Sequence, residues 1–84
     1  MQNFTSNIKS ITADTLFTGF KAVIRDTEQS AYVAAGKIGT TELPKGVSVM
    51  VYEGVDGVYV AQAAVTVRGT TRVVASAEFD SYDM

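Results

Sequence analysis

The sequence predicts a small all-β domain: an antiparallel barrel or sandwich of five to six strands, with room for one short helix near residues 27–35. Three observations carry this. Apolar and polar residues alternate with period two through most of the second half. Gly- and Asp-bearing turns separate the alternating runs at strand-length intervals. The apolar side chains are mostly small, with 12 Val and 10 Ala against 4 Ile, 2 Leu and no Trp. At 84 residues the chain holds one domain, residues 1–84, and its core is thin for its length.

The first half is the less regular. Asn3 to Thr12 sets Phe4, Ile8 and Ile11 among Ser, Thr and Asn, as an edge strand or arm would. Ala13-Asp14-Thr15 then turns the chain into Leu16–Arg25, read as a strand with Leu16, Phe20, Ala22 and Ile24 on one face and Gly19, Lys21, Val23 and Arg25 on the other. Ala31 to Ile38 fits two patterns. As a strand it pairs back on Leu16–Arg25, and the β-prone Tyr32-Val33 favours this. As a helix it starts on Asp26, completes a capping box with Gln29 and ends at Gly36. Pro44 interrupts the chain before the next strand.

The second half reads as a three-stranded meander over residues 46–79. In Gly46–Tyr52, Val47, Val49 and Val51 line one face and Ser48, Met50 and Tyr52 the other. Both faces are largely apolar, so this strand is either covered on both sides or lies at a subunit contact. Glu53–Gly57 is a hairpin loop. In Val58–Arg68 the odd positions, Tyr59, Ala61, Ala63, Val65 and Val67, are apolar, while the even positions are mixed. Arg68-Gly69-Thr70-Thr71 makes a tight hairpin into Thr71–Phe79, where Val73, Ala75, Ala77 and Phe79 share a face and Val74 is the exception. Residues 80–84 form a short, flexible acidic tail.

Function is constrained mainly by exclusion. The chain has no Cys and no His, which removes disulfides, the usual nucleophile–base pairs and the common zinc, haem and iron–sulfur ligands. Glu78, Asp80 and Asp83 are the one acidic cluster, and they read as a solvated terminus. Gly36-Lys37-Ile38-Gly39-Thr40-Thr41 has the wrong residue order for a phosphate loop, and Pro44 stands where the helix of such a loop would run. The expectation is therefore a non-enzymatic protein with no catalytic residues, no metal and no cofactor. Net charge is −2 and no basic field covers the chain, which argues against strong duplex-DNA binding. Neither a signal peptide nor an apolar run of membrane-spanning length is evident, so the chain is expected to be soluble, and intracellular or virion-associated.

Small residues limit the burial energy of the core, which scales with apolar area at roughly 25 cal/mol per Å². That deficit points to a structural or assembly module that packs against copies of itself or a larger protein, with Val47, Val49, Met50, Tyr52 and Tyr59 as the candidate interface. In composition alone the chain resembles small virion components of bacteriophages, such as decoration, head-completion or tail subunits. An alternative is a small β-barrel that stacks single-stranded nucleic acid on exposed aromatics beside bases, with Phe17, Lys21, Arg25, Tyr32 and Tyr52 as contacts. A second alternative is a small phage-encoded inhibitor that binds a host protein.

Overall fold

Alternation through residues 46–79 produces the expected meander. The computed structural model describes residues 3–30, 36–43, 46–55 and 57–80. Its elements are β1 (Asn3–Ser6), α1 (Ala13–Ser30), β2 (Lys37–Leu43), β3 (Val47–Glu53), β4 (Val58–Val67) and β5 (Thr70–Asp80). The five strands form one antiparallel sheet in the order β1-β5-β4-β3-β2. The molecule is mostly sheet, with five antiparallel strands as the patterning predicts, and one helix. Among the described residues the layer opposite the sheet is that helix rather than a second sheet, and β1 and β2 are the edge strands.

Leu16–Arg25 is the main correction: it is the middle of α1, not a strand. Leu16, Phe20, Val23 and Ile24 are buried, and this i, i+4, i+7, i+8 spacing is one helical face. The period-two assignment set the buried Val23 against Ile24 and required the exposed Thr18 on the apolar face. The helix also begins well before residues 27–35. Thr12 caps it, its Oγ1 accepting the Thr15 N–H at 3.2 Å, and Asp14 lies in the first turn where the helix dipole favours an acid. Asp26, the capping residue of the expected helix, is instead an exposed position within α1. The edge strand expected over Asn3–Thr12 is only β1. Residues 31–35, where the strand or helix alternative falls, and 81–84, most of the expected tail, lie outside the described residues.

Under the helix, β3 presents Val49 and Val51, β4 presents Ala61 and Ala63, and β5 presents Ala75, Ala77 and Phe79, all buried. At one end of this small-residue platform four rings meet. Phe20 stacks on Phe79 at 4.7 Å between centroids, Phe17 lies 5.2 Å from Phe79, and Tyr59 lies 5.7 Å from Phe20. Such pairs contribute about 0.5–1.5 kcal/mol each beyond area burial. Gly19 lets the helix approach β3: a Cβ there would fall 2.5 Å from Val49 Cγ2 and 2.7 Å from Val49 Cβ.

The irregular Val74 marks a β-bulge. Ala63 pairs with Ala75 and Ala64 with Val73, so Val74 is the extra residue of β5. It turns into the core, and its carbonyl accepts the Asn7 N–H at 2.7 Å. A second bulge separates Lys37 from Gly39 on β2, and Ile38 fills the core there.

Candidate interaction surface

A half-covered sheet leaves one face to account for. Cross-strand partners in an antiparallel sheet share a face, so the register assigns the side away from α1 residue by residue. Its rows run Lys37–Tyr52–Val60–Glu78, then Thr40–Met50–Gln62–Ser76, then Glu42–Ser48–Ala64–Val73. Val58, paired with Asp80, continues it at one end, and Thr66, paired with Thr71, at the other. No described strand or helix covers this face.

The face is mixed: Met50, Tyr52, Val58, Val60, Ala64 and Val73 stand among Thr40, Ser48, Gln62 and Ser76. Met50, Tyr52, Val58 and Val60 are half-buried, Ala64 is buried, and Val73 is 45% exposed. The Tyr52 hydroxyl donates to Met50 Sδ at 3.7 Å. Ala64 is buried yet lies outside the core cluster beneath the helix, as its place on the opposite face requires.

Of the five residues expected at an interface, only Met50 and Tyr52 lie on the uncovered face. Val49 is fully buried beneath Gly19. Tyr59 packs its ring on Phe20. Val47 packs on the core and, with Ile8, Ile11, Leu43 and Val65, lines a cleft of about 480 Å³ beside the start of α1. One cause serves all three: the apolar residues of β3 and β4 belong to two faces, and only one face is left uncovered by the described elements. Val60, Ala64 and Val73 are the residues that strand reasoning passed over. For Val60 and Ala64 the signal was present in the mixed even positions of β4; Val73, which alternation puts on a face with Ala75, is moved to the open face by the bulge at Val74.

The residues of the nucleic-acid alternative are not brought together. Phe17, Lys21 and Arg25 follow one another along α1, and the Lys21 Nζ sits 4.6 Å above the Phe17 ring. The Phe17 ring also packs against Phe20 and Phe79. Tyr52 lies on the far side of the sheet, and Tyr32 falls outside the described residues. A helical stripe on one side of the sheet and a tyrosine on the other share no groove.

Among the described residues no three His, Cys, Asp or Glu side chains gather as metal ligands would, and no helix is long and apolar enough to cross a membrane. No protein-family model, curated protein or solved structure matches the chain.

Proposed function

We propose that this chain is a non-enzymatic assembly module that packs its uncovered sheet face against another protein surface. The supporting observation is the asymmetry of the sheet: α1 covers one face, while Met50, Tyr52, Val58, Val60 and Val73 lie on a face that no described element covers. An antiparallel sheet with one solvated face ordinarily alternates apolar-in with polar-out, and β3 and β4 depart from that pattern at Met50, Tyr52, Val58, Val60 and Ala64. The small-residue core supports the same reading, since contact with another protein adds buried area that the chain alone lacks. A virion subunit is the finer form of this proposal and rests on composition.

Sedimentation velocity over a wide concentration range tests the reading, with Val60→Lys as the probe. Val60 is half-buried on the open face beside its cross-strand partner Glu78, which can hold the new ammonium in the free chain, while taking that charge out of water in a contact costs several kcal/mol. The variant should remain folded by circular dichroism and lose association by roughly 100-fold or more. Association unaffected by Val60→Lys would count against this face. For the finer reading, mass spectrometry of purified virus particles should find the chain at fixed stoichiometry, and its absence from particles would exclude that role.

A further inference from the structure

We propose that the partner at this face is a second copy of the chain, stacked sheet on sheet about a two-fold axis that runs along the row Thr40–Met50–Gln62–Ser76. This rests on the assembly reading above and names its partner and geometry. The argument is that the face is complementary to itself about that row on β2, β3 and β4, in both size and charge, while on β5 Glu78 comes over Val73.

A two-fold axis along the row keeps each strand over its own copy and exchanges the rows on either side. The row Lys37–Tyr52–Val60–Glu78 of one molecule then lies over the row Glu42–Ser48–Ala64–Val73 of the other. On β3 the large Tyr52 meets the small Ser48. On β4 Val60 meets Ala64. On β2 the Lys37 ammonium meets the Glu42 carboxylate, twice per dimer. Large-on-small stacking is how facing sheets interdigitate at a spacing of about 10 Å. The axial row places Met50, Gln62 and Ser76 against themselves, and none of these carries a charge that would repel its copy.

The ends of the strands agree with this orientation. The β4–β5 hairpin extends past both neighbours, since β3 pairing ends at Val65 and β1 pairing ends at Ala75. Residues 66–73 are all exposed, with Val67 at 60%. From Gly57 to Ala77 the sequence has two bases, Arg68 and Arg72, and no acid, which leaves nine acids against five bases elsewhere. The chosen axis brings the tip to the end of the other copy that bears Glu78 and Asp80; Arg72 itself, paired with the core-packed Val65, projects on the α1 side, so this agreement is one of overall charge and not of contact.

The area is sufficient in kind. Three rows across four strands and two more across β4 and β5 make sixteen positions of about 4.8 by 6.8 Å, a projected face of roughly 500 Å². Side-chain relief and the tips raise the accessible area toward the ~800 Å² per partner of a standard interface. The geometry is isologous and closed, which is the commonest symmetry of soluble oligomers.

Charge exchange on β2 tests the arrangement. Lys37→Glu places acid on acid at both symmetry-related positions, and Glu42→Lys places base on base. In sedimentation equilibrium at low salt, each single variant should dimerise about tenfold more weakly than the wild type. The double variant should recover wild-type dimerisation. An equimolar mixture of the two single variants should form a heterodimer in preference to either homodimer. A wild-type chain that dimerises with all these variants behaving alike would overturn the face-to-face geometry and leave the assembly reading intact. A wild-type chain that stays monomeric to millimolar concentration would overturn the second-copy partner, and the assembly reading would then stand or fall on a larger partner. Circular dichroism of each variant separates lost contact from lost fold.

Discussion

Replacing Gly19 with Ala adds one methyl group at the closest approach between α1 and the sheet, and two effects compete there. Glycine in a helix interior costs about 1 kcal/mol relative to alanine, so propensity alone favours the substitution. Against this, the new Cβ would fall 2.5 Å from Val49 Cγ2 and 2.7 Å from Val49 Cβ. A rotamer change at Val49 moves the first atom and not the second, because Cβ is fixed by the β3 backbone. The helix must lift or the strand must yield, and added methylenes in a packed core cost about 1–3 kcal/mol. Val49 is fully buried, so no slack exists on its other side. The expected net effect is a loss of about 1 kcal/mol, read as a fall of about 1 M in the urea midpoint for a domain of this size. Val49→Ala alone should cost about 2–3 kcal/mol from the two lost methyl groups and the cavity they leave. In that background the 2.5 Å contact with Cγ2 is gone while the 2.7 Å contact with Cβ remains, so adding Gly19→Ala should cost less than it does in the wild type. A double variant more stable than the two single losses add up to is the diagnostic result. A Gly19→Ala chain more stable than the wild type would refute the close-approach argument.

Two further outcomes follow from local backbone chemistry. Arg68 and Gly69 form the two-residue turn between β4 and β5 with φ of 52° and 81°, both left-handed. An arginine there costs roughly 1 kcal/mol that Gly or Asn largely avoids, so Arg68→Asn should raise the urea midpoint while removing a base from the tip. Greater stability with weaker dimerisation would indicate that the strained arginine serves contact rather than folding, whereas a lower midpoint would contradict the turn assignment. Thr12→Ala removes the cap of α1 and should cost about 1 kcal/mol with some loss of helical circular dichroism. An unchanged midpoint would show that the first turn is held by Leu16 packing alone.

The second half of the fold was legible because each of its strands carries its own evidence. Val49 and Val51 in β3, Ala61 and Ala63 in β4, and Ala77 and Phe79 in β5 alternate with side chains on the other face, and turn residues stand between the runs. Leu16–Arg25 was misread because apolar residues at 16, 20, 22 and 24 satisfy period two as readily as 16, 20, 23 and 24 satisfy a helix. Two local signs favoured the helix: Thr12 with Asp14 at its start, and the polar Thr18 where a strand core would need an apolar side chain. The candidate interface was half legible for a related reason. The two apolar faces of β3 were plain in the sequence, but which of them a helix would cover was not.

What the sequence determined by itself is therefore local: strand periodicity, turn positions and the residue types that exclude whole classes of chemistry. What the tertiary structure decided is which side of each strand is inside. Alternation fixes that Tyr52 and Val49 point in opposite directions, since successive side chains project from opposite faces of the pleat. It does not fix which direction is covered, because that depends on where an 18-residue helix from elsewhere in the chain lands. Once Gly19 settles α1 onto Val49, the face bearing Lys37, Tyr52, Val60 and Glu42 is the one left open, and its match to a second copy of itself becomes visible only in the register of the sheet.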